Sequence, residues 1–230
     1  LVYTEHARRN LLAEGLQSRR VLLTGSPMRE VLDHYRTDIE SSEILTASGL
    51  SSGEYFIVSA HREETVDNSL RLLRLIETLD AVADHWCLPV IVSVHPRTRK
   101  RMRDQGSEPV NPLVRLMEPF GFLDYNKLQM NSRCALSDSG TISEESAILR
   151  FPAVTLRASM ERPEALDTGT ILLADVDGNQ VIPAVQMAVA GLSAGATPVD
   201  YCGTNTSERV ATFIQSTAPL HQEWSALRVN

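Results

Sequence analysis

Short apolar runs alternate with longer amphipathic segments along the chain. The run at 89–94 is uniformly apolar, as in a parallel strand that is covered on both faces of its sheet. Seven runs predict strands, of which the fourth is the weakest: 21–25, 55–59, 89–94, 114–117, 134–137, 153–156 and 170–174.

The segments between these runs have helical periodicity. Residues 66–86 predict a long helix, because their apolar side chains recur at spacings of three. These side chains are Leu70, Leu73, Ile76, Leu79 and Val82. Further helices are predicted at 123–130, 141–149, 178–192 and 207–216, with loops at 47–53 and 191–205. Because strands and helices alternate, we predict an α/β fold with a doubly wound parallel sheet.

Composition narrows the classes of function. The 230-residue chain is 43% hydrophobic, so it can bury a full core, and its net charge of -7 argues against nucleic acid as a partner. The basic run at 95–101 is interpreted as a solvated helix start. The three cysteines (Cys87, Cys134 and Cys202) lack ligand spacing, so we expect reduced thiols in a cytoplasmic protein. We expect no membrane association, since no apolar run approaches the roughly 20 residues of a span and no signal peptide is visible.

The chain begins at Leu1 without an initiator methionine, and the stretch at 3–12 is helix-like. We therefore expect a fragment whose N-terminal part is missing.

Polar or small residues follow the ends of six predicted strands. Ligands of doubly wound sheets lie at the carboxyl ends of the strands, so these residues are expected to form one rim. They are Gly25 with Ser26, 59–64, 95–97, Tyr125, 138–140 and 161–164. A rim with two histidines, several arginines and a helix N-terminus is typical of a site for an anionic ligand.

The segment 136–146 (LSDSGTISEES) is the most informative part of the chain. A strand enters a small-residue turn at 138–140 and then a helix, whose unpartnered N–H groups and dipole suit a diphosphate. Thr141-x-x-Glu144 fits a capping box, which predicts a structural role for Glu144. Glu145 is left for a polyol such as ribose, since two hydroxyls can donate to one carboxylate. A surface helix residue that compensates the dipole is an equally good interpretation of Glu145.

The charged residues at the other strand ends can each be interpreted in two ways, as ligand-binding or as structural. His61 can donate to a phosphate oxygen or assist a leaving group, and Arg62 can make a bidentate phosphate contact, but this segment also fits a helix start. His95 is better interpreted as holding a turn than as catalytic, and Arg162 can simply be ion-paired. No nicotinamide fingerprint, Walker loop or nucleophile elbow is present, and no metal-ligand cluster stands out.

Four motifs occur in a fixed order: Ser-Ala-His-Arg-Glu-Glu at 59–64, Val-His-Pro-Arg at 94–97, Ser-Asp-Ser-Gly-Thr-Ile-Ser-Glu-Glu at 137–145 and Glu-Arg-Pro-Glu at 161–164. Together they resemble the non-hydrolysing UDP-N-acetylglucosamine 2-epimerase family, from about Tyr3 to the C-terminus. Their form looks closest to the branch that acts on 6-deoxy sugars and makes UDP-N-acetyl-L-fucosamine for surface polysaccharide.

The resemblance implies a fold and a domain organisation. The chain would be the Rossmann-like, C-terminal half of a two-domain GT-B fold. Residues 1–20 would end the N-terminal domain or form the crossover, 21–200 would be the UDP-binding domain, and 201–230 would carry a helix back toward the N-terminal domain.

The resemblance also implies roles for residues that match the motifs. Ser139 and Gly140 would hold the diphosphate through backbone N–H and hydroxyl groups, and Glu145 would hold the ribose hydroxyls. His61 would stabilise the departing diphosphate, and Arg162 would contact the phosphate or the sugar.

Three further positions follow from the same resemblance. Tyr125 would pack on the uracil, where relatives often carry phenylalanine. Arg62 and His95 match positions that contact a second, activating UDP-sugar in some bacterial relatives.

The implied reaction inverts C2 of a UDP-2-acetamido sugar. UDP leaves with loss of the C2 proton, a 2-acetamidoglycal forms, and UDP adds back with a proton on the other face, without nicotinamide or metal. The acid and base carboxylates would lie in the N-terminal domain, so the isolated chain is expected to be inactive and the full-length enzyme to be a homodimer. Two alternatives remain: the donor-binding domain of a GT-B glycosyltransferase, and a UDP-binding module without catalysis.

Overall fold

The computed structural model describes residues 1–62, 67–160, 162–191 and 195–220. Predictions that concern Glu63, Glu64, Glu161 or the last ten residues lie outside this part, as do the predicted helix ends at 66 and 192. The described residues pack into two compact units, one formed by 1–34 with 197–220 and the other by residues within 35–196. The domain boundaries at 20 and 200 stay a prediction.

The larger unit is built around a parallel sheet, which within the described residues has six strands in the order β3-β2-β1-β4-β5-β6. The strands are β1 Phe56–Ser59, β2 Val90–Ser93, β3 Val114–Met117, β4 Cys134–Ser137, β5 Ala153–Leu156 and β6 Leu172–Ala174. Every residue of β1, β4 and β5 is buried, whereas β3, at one edge, stays partly exposed. The predicted α/β class and the doubly wound parallel sheet are confirmed.

Helices connect the strands within the larger unit, and further helices belong to the smaller unit. They are α1 Glu5–Ala13, α2 Met28–His34, α3 Arg36–Ser41, α4 Ile44–Ala47, α5 Ser69–Trp86, α6 Pro96–Asp104, α7 Phe122–Asn131, α8 Ile142–Leu149, α9 Glu164–Asp167, α10 Gly178–Val189 and α11 Thr206–Thr217. Short 3-10 turns lie at Ser18–Arg20, Val199–Tyr201 and Ala218–Leu220. The predicted helices are confirmed, with ends that shift by a few residues.

Helix α5 begins at a side-chain cap, and its buried face differs from the one that the apolar spacing of three predicts. Asn68 Oδ1 accepts from the N–H groups of Leu70 (3.0 Å) and Arg71 (3.2 Å) and caps the helix start. Leu70 and Leu73 are exposed, because a strict spacing of three drifts around a helix of 3.6 residues per turn. The core-facing side chains are Leu72, Leu75, Ile76, Leu79, Val82 and Ala83.

The predicted strand at 21–25 is wrong. Within the described residues, this run makes a parallel bridge between Val2 and Leu23 and pairs with no strand of the sheet. The side chain of Arg209, on α11, donates to the carbonyl oxygens of Leu23 and Thr24 at 2.7 Å each, which occupies acceptors that a sheet neighbour would need. Gly25 and Ser26 therefore do not follow a strand of the sheet, and the predicted rim loses this member.

No helix in the described ranges combines the length and the apolarity that a membrane crossing requires.

Candidate functional site

The site lies where the strand order of the sheet reverses. β1 and β4 are neighbours, and their last residues, Ser59 and Ser137, are paired in register. The chain leaving β1 turns toward β2 and the chain leaving β4 turns toward β5, so a crevice opens between the two connections. His61 and Arg62 follow β1, and the 138–141 turn follows β4, so the two strongest sequence motifs meet at this point.

Asp138 joins the two connections. Its carboxylate is only 1% exposed and accepts the N–H of His61 at 3.1 and 3.2 Å and the N–H of Arg62 at 3.0 Å. Sequence reasoning gave Asp138 no function beyond its place in a turn. One feature of the sequence could have indicated this role: Asp138 directly follows a buried strand. A carboxylate that is buried there needs hydrogen-bond donors, so a structural acceptor could have been predicted.

The imidazole of His61 is oriented by its neighbours but remains accessible. Its Nδ1 lies 3.1 Å from Ser59 Oγ and 4.0 Å from the nearer Asp138 oxygen, while the side chain is 55% exposed. With Nδ1 engaged, Nε2 is the nitrogen that is available to a ligand. The arrangement suits an imidazole that donates a hydrogen bond to a bound anion and so stabilises its negative charge.

A cavity of about 420 Å³ opens beside this imidazole. Its lining includes Ser59, His61, Asp67, Ser93, His95, Arg97, Thr98 and Pro119. His95 caps α6, because its Nδ1 accepts the Arg97 N–H at 3.3 Å, so the turn-holding interpretation of His95 is confirmed. His61 and His95 thus line the same cavity, whereas the activator role of His95 and Arg62 stays a prediction.

The turn after β4 is held by hydroxyl groups. Ser139 N–H donates to Ser137 Oγ (3.0 Å), and Ser139 Oγ lies 2.9 Å from Thr141 Oγ1. The capping-box prediction is wrong: the Thr141 side chain makes no cap bond, and the Thr141 N–H donates to Ser139 Oγ at 3.3 Å. Glu144, buried at the start of α8, pairs instead with the guanidinium of Arg162, which is the stronger partner for a buried carboxylate.

Arg162 is brought over the turn by this ion pair. Its Nη1 also lies 3.5 Å from the Gly140 carbonyl oxygen, and a Cβ added at Gly140 would be 3.7 Å from Arg162 Cζ. Arg162 is therefore ion-paired, and the partner in the described part of the chain is a glutamate 18 residues earlier. The pair places a cation beside the small-residue turn.

Glu145 is not a surface residue, so the surface interpretation is wrong. It is only 9% exposed, and the side-chain amide of Gln129, on α7, donates to its Oε2 at 2.8 Å. Burial raises the pKa of Glu145, hydrogen bonds with Gln129 and Thr141 lower it, and the charge on Glu144 raises it. A buried carboxylate beside the 138–141 turn is suited to accept hydrogen bonds from hydroxyl groups. Its ribose role stays a prediction.

Tyr125 links α7 to both acidic residues of the crevice. Burial raises the pKa of its hydroxyl, and the charges of Glu145 and then Asp138 raise it further, whereas hydrogen bonds with Ser59 and Gln129 lower it. These neighbours place the phenol inside the crevice, near Asp138 and Glu145 and close to the connection that carries His61. Stacking of Tyr125 on uracil stays a prediction.

The described residues contain no group of three or more His, Cys, Asp or Glu side chains that could hold a metal ion.

Comparison with known proteins is consistent with this geometry. A family model described as UDP-N-acetylglucosamine 2-epimerase matches residues 1–215. The chain is similar to the UDP-N-acetylglucosamine 2-epimerase of Methanocaldococcus jannaschii, with 32% identity over 190 residues that cover 80% of this chain and 52% of the relative. The chain thus spans about half the length of the curated relatives it matches.

Solved structures of the same family are also similar to this chain. A Rickettsia bellii UDP-N-acetylglucosamine 2-epimerase superposes with a TM-score of 0.86 at 34% identity, over 96% of this chain and 60% of that one. The Methanocaldococcus jannaschii UDP-GlcNAc 2-epimerase in complex with UDP-GlcNAc and UDP also gives a TM-score of 0.86, at 28% identity over 94% and 60% of the two chains. With the observed sheet order, these neighbours confirm the predicted Rossmann-like, GT-B type of fold.

Proposed function

This chain belongs to the UDP-N-acetylglucosamine 2-epimerase family, and from that membership we propose that it supplies the UDP-binding half of an isomerase. The enzyme inverts C2 of a UDP-2-acetamido sugar. UDP-N-acetylglucosamine and UDP-N-acetylmannosamine are the first candidate pair, and the 6-deoxy step that gives UDP-N-acetyl-L-fucosamine for surface polysaccharide is the second.

The observation that carries this proposal is the composition of the crevice between β1 and β4. An anion-binding turn at 138–141, the buried carboxylate of Glu145 and the accessible imidazole of His61 converge there. A UDP-sugar has a diphosphate, a ribose diol and a leaving diphosphate oxygen, which match these three features in turn.

Each side chain then has a task in the reaction. Ser139 and Gly140 hold the diphosphate, with Arg162 beside it, and Glu145 accepts both ribose hydroxyls. His61 stabilises the negative charge that develops on the diphosphate as the bond from C1 to oxygen breaks. Loss of the C2 proton to a base completes the elimination, and return of a proton and UDP to the glycal restores the sugar with C2 inverted.

The remaining parts of the enzyme are also proposed. Tyr125 packs on the uracil, and Arg62 and His95 contact an activating UDP-sugar. The acid and base carboxylates lie in the half that the relatives have beyond the length of this chain. We further propose a cytoplasmic homodimer that needs no metal or nicotinamide and binds neither nucleic acid nor membrane; the free thiols of the three cysteines support this compartment.

Isotope exchange tests the proposed reaction. The complete polypeptide that contains this chain is incubated with UDP-N-acetylglucosamine in heavy water, and the C2 position is followed by NMR. We expect deuterium at C2 without any acceptor, and no exchange with the 230-residue chain alone, although it binds UDP. Turnover that requires an acceptor would instead indicate a glycosyltransferase. Exchange by the isolated chain would show that our location of the base is wrong.

Gly140→Ala should leave the fold intact and weaken UDP binding about tenfold. Gly140 has no left-handed backbone, and the added Cβ would meet Arg162 at 3.7 Å, an ordinary contact, so the cost in stability should stay near 0.5 kcal/mol. The methyl group would stand where a diphosphate approaches the backbone closely. Calorimetric titration with UDP measures the effect. Gly178→Ala, at the start of α10, is the control; equal affinities for both variants would remove Gly140 from the diphosphate site.

A further inference from the structure

Gln129 is a buried polar side chain to which the sequence motifs assign no role. It lies on α7, is 0% exposed, and donates from Nε2 to Glu145 Oε2 at 2.8 Å. Burial of an amide costs free energy unless the amide is hydrogen-bonded, and an apolar side chain of similar size would fill the same space without that cost. The contact that distinguishes an amide from an apolar side chain at this position is its hydrogen bond to Glu145.

We propose that Gln129 is a positioning residue, whose amide holds the Glu145 carboxylate ionised and oriented so that the cis-diol of a nucleotide ribose can donate both hydroxyls to it. This inference rests on the proposed function, since it takes Glu145 as the ribose acceptor. One Glu145 oxygen is tied to a helix that does not carry the diphosphate turn. The carboxylate plane is thereby fixed relative to the crevice before any nucleotide binds.

The charges around Glu145 explain why such support matters. Tyr125 faces it from α7, and Glu144, which precedes it on α8, raises its pKa, although Arg162 compensates part of that charge. Asp138 and His61 lie in the same crevice on the connections after β4 and β1. Burial has the largest effect on the pKa of Glu145 and raises it, and the hydrogen bond from Gln129 is the largest of the effects that lower it. Loss of that bond raises the pKa further, so a smaller fraction of Glu145 is ionised at any given pH.

Two substitutions at this position should change UDP binding in opposite directions with pH. In Gln129→Met the volume is kept and the donor is lost, so UDP affinity should fall about tenfold near pH 7 and recover as pH rises. In Gln129→Glu two carboxyl groups face each other, so the introduced group is protonated at low pH and can donate. Its affinity should approach that of the wild type at low pH and fall as pH rises, when both carboxyls become charged.

Calorimetric titration of the full chain with UDP, between about pH 5 and pH 8, measures these trends. The ratio of variant to wild-type affinity is followed, because the ionisation of UDP itself is common to all titrations. Asn126→Leu is the matched control: Asn126 is also a buried amide on α7, and it donates to the Phe122 carbonyl oxygen at 2.8 Å. Asn126→Leu should lose about as much stability as Gln129→Met, while the ratio of its UDP affinity to that of the wild type stays constant with pH.

Glu145→Gln separates this inference from the proposed function. If Glu145→Gln binds UDP as the wild type does, the ribose assignment itself fails. If Glu145→Gln weakens binding while Gln129→Met keeps the wild-type affinity and pH profile, only the inference about Gln129 is overturned. A Gln129→Met affinity that is reduced by the same factor at every pH, as in a merely structural role, would also overturn it.

Discussion

Asp138→Ala is expected to lower the free energy of unfolding by about 3 kcal/mol and to abolish measurable UDP binding. The two N–H groups of His61 and Arg62 would lose the carboxylate that accepts both, and the turn after β1 would lose its tie to β4. Since His61 is exposed, water can satisfy part of the loss, which keeps the effect below that of a fully buried charge pair. Urea unfolding followed by circular dichroism measures the stability, and calorimetric titration with UDP measures the binding.

Asp80→Ala is the matched control for this prediction. Asp80 also accepts two backbone N–H groups, those of Val110 and Asn111 at 3.1 Å each, but these precede β3 at the opposite end of the strands. We expect this variant to lose stability and to bind UDP normally. Should Asp138→Ala bind UDP as well as Asp80→Ala does, UDP binding at the 138–141 turn would not depend on the Asp138 carboxylate. Asp138→Asn, which keeps one acceptor oxygen, should lie between the wild type and Asp138→Ala.

The sheet was largely predictable because its signal is local. Strands such as β2 and β4 are buried on both faces, so they appear in the sequence as short uniformly apolar runs. The run at 21–25 has the same local pattern, but it belongs to the other unit, where Arg209, 185 residues from Thr24, donates to its carbonyl oxygens. No spacing along the chain contains that information.

The candidate site was predicted as a set of residues, but some of its contacts were not. Glu144 has a structural role, but not the predicted one: it binds Arg162 and is not a helix cap, while the ribose role of Glu145 stays a prediction. Local motifs describe neighbours three or four positions apart, whereas a buried carboxylate takes the strongest donor that the fold brings to it. The same limit hid Gln129, which on sequence alone is a polar position of an amphipathic helix.

His61→Ala is expected to lower kcat of the complete enzyme about 10²- to 10³-fold and to change UDP affinity little. The backbone N–H of His61 and that of Arg62 would still donate to Asp138, so the turn and the proposed nucleotide site should keep their geometry. In the proposed reaction, the variant would lose the imidazole beside the bond that breaks, whose interaction would be strongest with the charge that develops on the diphosphate. The rates of epimerisation and of deuterium entry at C2 should therefore fall together.

The control for His61→Ala is another histidine of the same unit. His85 lies at the end of α5, packs edge-on against Trp86 and contacts Gln186, at the end of the sheet that is remote from the crevice. His85→Ala should keep the wild-type kcat. His61→Asn, which keeps a donor on a shorter side chain, should retain more activity than His61→Ala if the role is hydrogen bonding to the leaving diphosphate. Equal kcat for wild type and His61→Ala would remove His61 from the proposed reaction.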